Sequence, residues 1–226
     1  MKLSIIMPVL NEAAGIAAAL HALAPLRARG AEVIVVDGGS DDGTAELAGP
    51  FADRVLGAAR GRAAQMNAGA AAARGDVLLF LHADTALPEN ADRLILDGLA
   101  QSGRAWGRFD VRFDGGGALR LVALMMNWRS RATGICTGDQ AMFVTRAGFD
   151  QAGGFPPIAL MEDVALSARL KRVSRPLCLS ARVTTSGRRW RRHGTLRIIL
   201  LMLLLRLRYF LGADPARLAR AYGYEP

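Results

Sequence analysis

Leu3-Ser4-Ile5-Ile6-Met7-Pro8-Val9-Leu10-Asn11-Glu12 is the stretch that decides the fold. An aliphatic run with two isoleucines and a valine, followed at once by Asn and Glu, fits a strand covered on both faces that ends in a polar loop. A secretory leader would instead lead into a small-residue cleavage site, and here Pro8 and Asn11-Glu12 follow. The start of the chain therefore reads as a first strand. Residues 32–36 form a second β-branched run, and between the two lies the Ala- and Leu-rich segment 13–26, with Ile16, Leu20 and Leu23 at helical spacing. The theme repeats: helix over 41–48, strand over 54–56, helix over 61–73, strand over 77–81. Alternation at this pitch predicts an α/β fold with a mostly parallel sheet and helices on both faces.

After Asp84 the rhythm changes. Residues 88–101 read as a helix, and 106–113 alternate apolar and polar like an antiparallel strand before Gly115-Gly116-Gly117. An apolar helix over 119–128, a strand over 141–144 and a helix over 164–173 complete a mixed second half. No repeat and no long linker marks a boundary. The expected division is one domain over 1–190, with a binding half at 1–102 and an acceptor half at 103–190, followed by basic, apolar helices over 191–226.

The 226 residues suffice for one such domain with a sizeable core. Half of them are hydrophobic, which excludes a disordered chain. The two cysteines, Cys136 and Cys178, form no CxxC pair, which argues against a disulfide framework or cysteine zinc site and fits a reducing compartment. The net charge of +9 is unevenly spread: residues 169–220 hold fourteen Lys and Arg against a single acid, Asp214. Such a block points to anionic lipid, nucleic acid or phosphate-bearing substrates. The remainder is mildly acidic.

In open parallel sheets ligands bind beyond the carboxyl ends of the strands. Three polar clusters fall there: Pro8-Val9-Leu10-Asn11-Glu12, Val36-Asp37-Gly38-Gly39-Ser40-Asp41-Asp42-Gly43-Thr44, and Leu81-His82-Ala83-Asp84-Thr85. Taken singly each also fits a tight turn or a helix cap. No GxGxxG follows the first strand, which weakens a dinucleotide fold. The ordered set, continued by Glu162-Asp163, resembles the family-2 glycosyltransferases, and within them a small bacterial subgroup of uncertain substrate. The resemblance covers nearly the whole chain. It implies a GT-A (Rossmann-like) fold, a nucleotide-diphosphate sugar donor and Mg²⁺ or Mn²⁺.

The chemistry agrees with that resemblance. Negative charge builds on the leaving diphosphate during transfer, and a hard cation with carboxylate ligands neutralises it. Asp84 matches the last acid of the family's Asp-x-Asp motif, while His82 stands where the first acid is usual; both are expected at the metal. By the same resemblance Pro8, Asn11, Glu12, Asp37, Gly38, His82, Ala83 and Asp84 line the nucleotide-sugar pocket, with Asp37 near base or ribose. Gly38 replaces a second acid common in the family, so uridine is not implied. Arg62, Gln65 and Asn67 open the third helix toward the nucleotide. Asp163 is expected to act as general base on an acceptor hydroxyl, giving inversion, with Glu162 in support; both acids also suit the start of a helix. Gly138 and Asp139 resemble the acceptor-side loop.

Ser186-Gly187-Arg188-Arg189-Trp190-Arg191-Arg192 partly resembles an Arg-Trp signature of membrane-bound relatives, without its usual opening residue. Arg188, Arg189 and Trp190 are expected at a donor or lipid phosphate. The apolar run 198–205 covers about 12 Å as a helix, far below the ~30 Å of a bilayer core. It reads either as a core helix or as an interfacial one, with arginines reaching anionic lipid. The expectation is a cytoplasmic enzyme, peripheral at the inner face of the cell membrane, acting on a lipid or lipid-linked acceptor and not on nucleic acid. A polyprenyl-phosphate glycosyltransferase is the near alternative. A nucleotidyltransferase would show a Gly-rich basic loop after the first strand, and a basic membrane adaptor would leave the three clusters unexplained.

Overall fold

The computed structural model describes residues 1–224. The last two residues of the expected 191–226 segment lie outside them. Strands β1 (Leu3–Val9), β2 (Glu32–Asp37), β3 (Arg54–Gly57) and β4 (Val77–Phe80) alternate with helices α1 (Ile16–His21), α2 (Ala24–Ala28), α3 (Thr44–Ala48) and α4 (Arg62–Ala72). Then come β5 (Thr85–Ala86), α5 (Ala91–Ser102), β6 (Trp106–Phe113), α6 (Ala118–Thr133), β7 (Phe143–Thr145), α7 (Arg146–Ala152), α8 (Glu162–Val173) and β8 (Leu177–Thr185). Helices α9 (Arg188–His193), α10 (Thr195–Phe210) and α11 (Pro215–Tyr222) follow.

All eight strands join one sheet in the order β3-β2-β1-β4-β7-β6-β8-β5. The β3-β2-β1-β4 half is parallel throughout, as the alternating pattern predicts. β7 enters antiparallel to β4 and β6, and β5 is antiparallel to β8. The expected antiparallel β6 is so only toward β7. On its other side it runs parallel to β8, a strand that the sequence did not announce because Ser180 and Arg182 interrupt the apolar pattern. β1, β2 and β4 are buried on both faces: Ile5 and Val35 face one core layer, Ile6, Val36 and Leu78 the other.

The single helix expected over 13–26 is two. Pro25 opens α2, and a proline cannot supply the N–H that would bond back into α1. The helix expected from residue 41 starts at Thr44, since Asp42 Oδ1 accepts from the backbone N–H of Thr44 and Gly43 takes φ 83°. The expected boundary at residue 190 falls inside α9. α10 and α11 pack on α8 through Leu205, Leu218 and Val164, so the C-terminal helices share a core with the sheet domain. Among the described residues no helix is long and apolar enough to cross a membrane.

Candidate functional site

The site begins at the switch point of the sheet. From β1 the chain winds outward through β2 and β3, whereas β4 lies on β1's other side, and a crevice opens beyond their carboxyl ends. The loops after β1 and β2 are stitched together there. The Asn11 backbone N–H donates to Ser40 Oγ (2.9 Å), and Asn11 Oδ1 accepts from the Asp41 N–H (3.1 Å). The Glu12 N–H donates to Thr44 Oγ1 (2.8 Å) and the Ala13 N–H to Asp42 Oδ2 (3.0 Å). Gln65, from α4, donates to the carbonyls of both Val9 and Val36 at 2.8 Å and so ties the two strand ends beneath the loops.

Beyond this seam lies a cavity of about 640 Å³. It brings together Pro8, Glu12, Arg62, His82, Ala83 and Asp84 from the first half of the chain. From the second half come Gly138, Asp139, Glu162, Asp163, Arg188, Arg189 and Trp190. Four expected residues are not part of its wall. Asn11 makes the stitch just described. Asp37 folds back on its own loop, accepting from the backbone N–H groups of Gly39 and Ser40 (both 2.9 Å) and from Ser40 Oγ. Gly38 packs against the Gln65 side chain, where a Cβ would approach to 3.1 Å. Asn67 is spent on the backbone of Phe155, donating to its carbonyl (2.8 Å) and accepting from its N–H (3.0 Å).

At the β4 end Asp84 is exposed, with a long 3.3 Å contact from Thr85 Oγ1. Glu12 faces it: burial raises the Glu12 pKa, Arg188 lowers it, and the charge of Asp84 raises it further. His82 turns to the Gly138-Asp139 loop, its Nδ1 lying 3.7 Å from Asp139 Oδ1. A Cβ on Gly138 would lie 2.4 Å from His82 Cε1, so glycine is what lets the ring approach this loop so closely. Among the described residues no group of three His, Cys, Asp or Glu side chains could hold a metal ion. A cation held at Asp84, with Glu12 near it, would take most of its ligands from substrate phosphates and water, which is how Mg²⁺ is commonly held.

At the far end Met161 adopts φ 70°, a left-handed conformation unusual for a long side chain, and this kink starts α8 with two acids pointed at the cavity. They differ in their partners. Asp163 Oδ2 accepts from the Gly138 N–H (2.8 Å) and Oδ1 from the Val164 N–H (2.7 Å), so it satisfies one free N–H in the first turn of α8 and docks the Gly138 loop. Glu162 is 5% exposed. Its pKa is pushed up to about 7, first by burial and then by the neighbouring Asp163, while Arg62 acts against both.

The C-terminal helices form the remaining wall. Arg189 stacks 3.7 Å above the Tyr222 ring and donates to the Tyr222 carbonyl (2.7 Å), and the Arg62 guanidinium lies 5.9 Å from the Tyr224 ring centroid. Trp190 packs edge-on against Phe113. The sequence reading missed Met126 and Arg129 of α6, Ile198, Met202 and Arg206 of α10, and Tyr222 near the end of the chain. One signal existed: Arg129 and Arg206 each close an apolar helical run, where a charge needs a reason.

The family described as Glycosyl transferase family 2 matches residues 4–149. A search of curated proteins found no match. Among solved structures, S. aureus TarS residues 1–349 is similar with a TM-score of 0.68 at 18% identity, over 83% of this chain and 61% of that one. The mannosyltransferase PcManGT from Pyrobaculum calidifontis, solved with GDP-Man and Mn²⁺, gives 0.67 at 18% identity, over 97% and 68%. Glucosyl-3-phosphoglycerate synthase from Mycobacterium tuberculosis, solved with Mn²⁺, UDP and phosphoglyceric acid, gives 0.61 at 21% identity, over 81% and 69%. The chain thus spans about three fifths of the TarS fragment. At these identities the likeness shows a shared fold.

Proposed function

The chain belongs to glycosyl transferase family 2, and from that premise we propose that it moves a sugar, with inversion, from a nucleotide-diphosphate donor to a lipid or lipid-linked acceptor at a membrane surface. One observation carries this reading: acids from four separate segments, Glu12, Asp84, Asp139 and the Glu162-Asp163 pair, line one cavity that also holds guanidinium groups. The neighbours solved with UDP-GlcNAc and GDP-Man support a nucleotide-sugar donor. Its diphosphate belongs at the Asp84 end, where Arg188 faces Glu12. Asp84 would hold Mg²⁺ or Mn²⁺ together with the diphosphate oxygens, and such an ion would neutralise charge on the leaving group.

The acceptor enters from the Glu162-Asp163 end. An acceptor oxygen attacks the anomeric carbon from the face opposite the diphosphate. As that bond forms, the bond to the leaving oxygen breaks with its electron pair; an alcohol acceptor passes its proton to a carboxylate, whereas an ionised phosphate acceptor has none to pass. The resemblance assigns that proton to Asp163. The hydrogen bonding supports a second reading, in which Asp163 holds the Gly138 loop and Glu162 accepts the proton. A base serves best with a pKa near the working pH, which suits Glu162.

The membrane reading rests on two helices. α10 shows Leu196, Leu200, Leu203, Leu204, Leu207 and Phe210 to solvent, one continuous helical stripe. α6 shows Leu121, Leu124, Met125 and Trp128, a second stripe. Arg192, Arg197 and Arg208 stand exposed around the first, which complements an anionic bilayer better than a second apolar protein face. The test of the whole proposal is a thermal-shift panel of nucleotide sugars with and without Mn²⁺. A donor at a hundred times its Kd stabilises the fold by about 2.7 kcal/mol. If no nucleotide sugar raises the melting temperature with Mn²⁺, the reading fails.

A further inference from the structure

Arg129 and Arg206 reach the cavity from different helices, and neither has an acidic partner among the described residues. Arg129 Nη2 is fully shielded from solvent and has no hydrogen-bond acceptor among the described residues. Neither arginine lies within ion-pair distance of a carboxylate among those residues. Burial pushes the Arg129 pKa down to about 10, and the neighbouring Arg206 adds to the effect. Burial likewise lowers that of Arg206, against the pull of Asp163. Two guanidinium groups held near one another, partly buried and without an anion among the described residues, are costly for a fold to keep. They make sense as half of an interaction whose other half arrives with a ligand.

The charge neighbours locate that ligand. The charge of Asp163, at the acceptor end, reaches both Arg129 and Arg206. Glu12, at the donor end, instead senses Arg188, Asp84, Asp42 and His82. The apolar lining of the same cavity includes Met126 on the helix of Arg129, and Ile198 and Met202 on the helix of Arg206. We propose that Arg129 and Arg206 form the acceptor's anion subsite, which takes the phosphate of a phosphate monoester whose apolar stem lies along Met126, Ile198 and Met202. Forked guanidinium groups match phosphate oxygens in geometry as well as charge. This rests on the glycosyltransferase reading for the word acceptor, while the subsite itself does not depend on the donor.

The experiment measures binding to the full-length protein by calorimetry, with citronellyl phosphate, citronellol and inorganic phosphate as probes and no nucleotide present. The ester should bind and citronellol should not. Inorganic phosphate should bind more weakly than the ester and compete with it. Arg206→Gln should weaken the ester by about 10- to 100-fold, the worth of a charge-assisted hydrogen-bonded contact, and Arg206→Lys by less. Arg206 is half-exposed, so this variant should fold, and Arg129→Met is the harsher second test. Nucleotide binding with Mn²⁺ should be unchanged in Arg206→Gln. Unchanged ester affinity in both variants overturns the subsite. Loss of nucleotide binding, or competition between ester and nucleotide, assigns the arginines to the donor and overturns it too. Equal affinity for ester and inorganic phosphate removes the apolar stem. If no nucleotide sugar binds while the ester still does, the donor reading has failed and the subsite stands.

Discussion

Replacing Glu162 with Gln separates the burial of this carboxyl from every other contribution to stability. Its pKa is raised from an ordinary 4.5 to about 7 because the group is buried and lies beside Asp163. Between these values the folded chain keeps a proton that the unfolded chain has released. Stability therefore falls as pH rises through the window, and the loss is complete above about pH 7. Each tenfold change in proton affinity corresponds to about 1.36 kcal/mol, so ionising Glu162 in the fold costs about 3 kcal/mol. Gln has nearly the same shape and no charge, so Glu162→Gln should match the parent at about pH 4.5 and exceed it by about 3 kcal/mol at about pH 8.5. For a chain of this size that is a gain of about 6–12 °C in melting temperature. Thermal unfolding of both proteins at both pH values cancels all other titrating groups in the difference. Parallel curves, with the same gap between variants at each pH, would refute the argument that this carboxyl is buried without a partner.

Gly69 on α4 meets β1 closely: an added Cβ would lie 2.4 Å from Ile6 Cγ2 and 3.0 Å from Val36 Cγ2. Gly69→Ala should therefore lose about 1–3 kcal/mol to overpacking, read by urea unfolding, despite alanine's better helix propensity. Asn67→Ala should strip both bonds to the Phe155 backbone, destabilise by about 1–3 kcal/mol, and leave nucleotide affinity unchanged in calorimetry. Asp163→Asn should abolish transfer to an alcohol and spare transfer to a phosphate acceptor if Asp163 is the base, because an ionised nucleophile has no proton to give up. Equal loss with both acceptors would assign Asp163 to holding the Gly138 loop. Leu203→Glu with Leu207→Glu on the exposed stripe of α10 should reduce sedimentation with vesicles containing anionic phospholipid, leaving circular dichroism unchanged.

The parallel half of the sheet was legible because Leu3–Val9 and its counterparts are short, apolar and punctuated by polar loops at each carboxyl end. The acids Glu12, Asp84, Glu162 and Asp163 were legible as a set for the same reason: strand ends and helix starts are where a chain places polar groups on purpose. What the pattern hid was partnership. Nothing in Asp37-Gly38-Gly39-Ser40 distinguishes a carboxylate that faces a ligand from one that closes its own turn, and Asn67 gives no hint of its hold on Phe155, 88 residues away. β8 escaped because Arg182 and Ser180 break its apolar run, and its identity as a strand comes from pairing with β6. The share of the cavity wall built by α6, α10 and α11 depends on how the C-terminal helices fold back, a tertiary choice that local periodicity does not encode.

Helix α10 has one edge on the cavity, through Ile198, Met202 and Arg206, and the other in contact with solvent through its leucines. Any amphiphile that coats those leucines during purification thus sits on a helix that also lines the cavity, and is not an inert solubiliser. Rates measured in micelles of different head-group charge should be treated as data about the site, and a preparation that is silent in plain buffer has been assayed in only one of its environments.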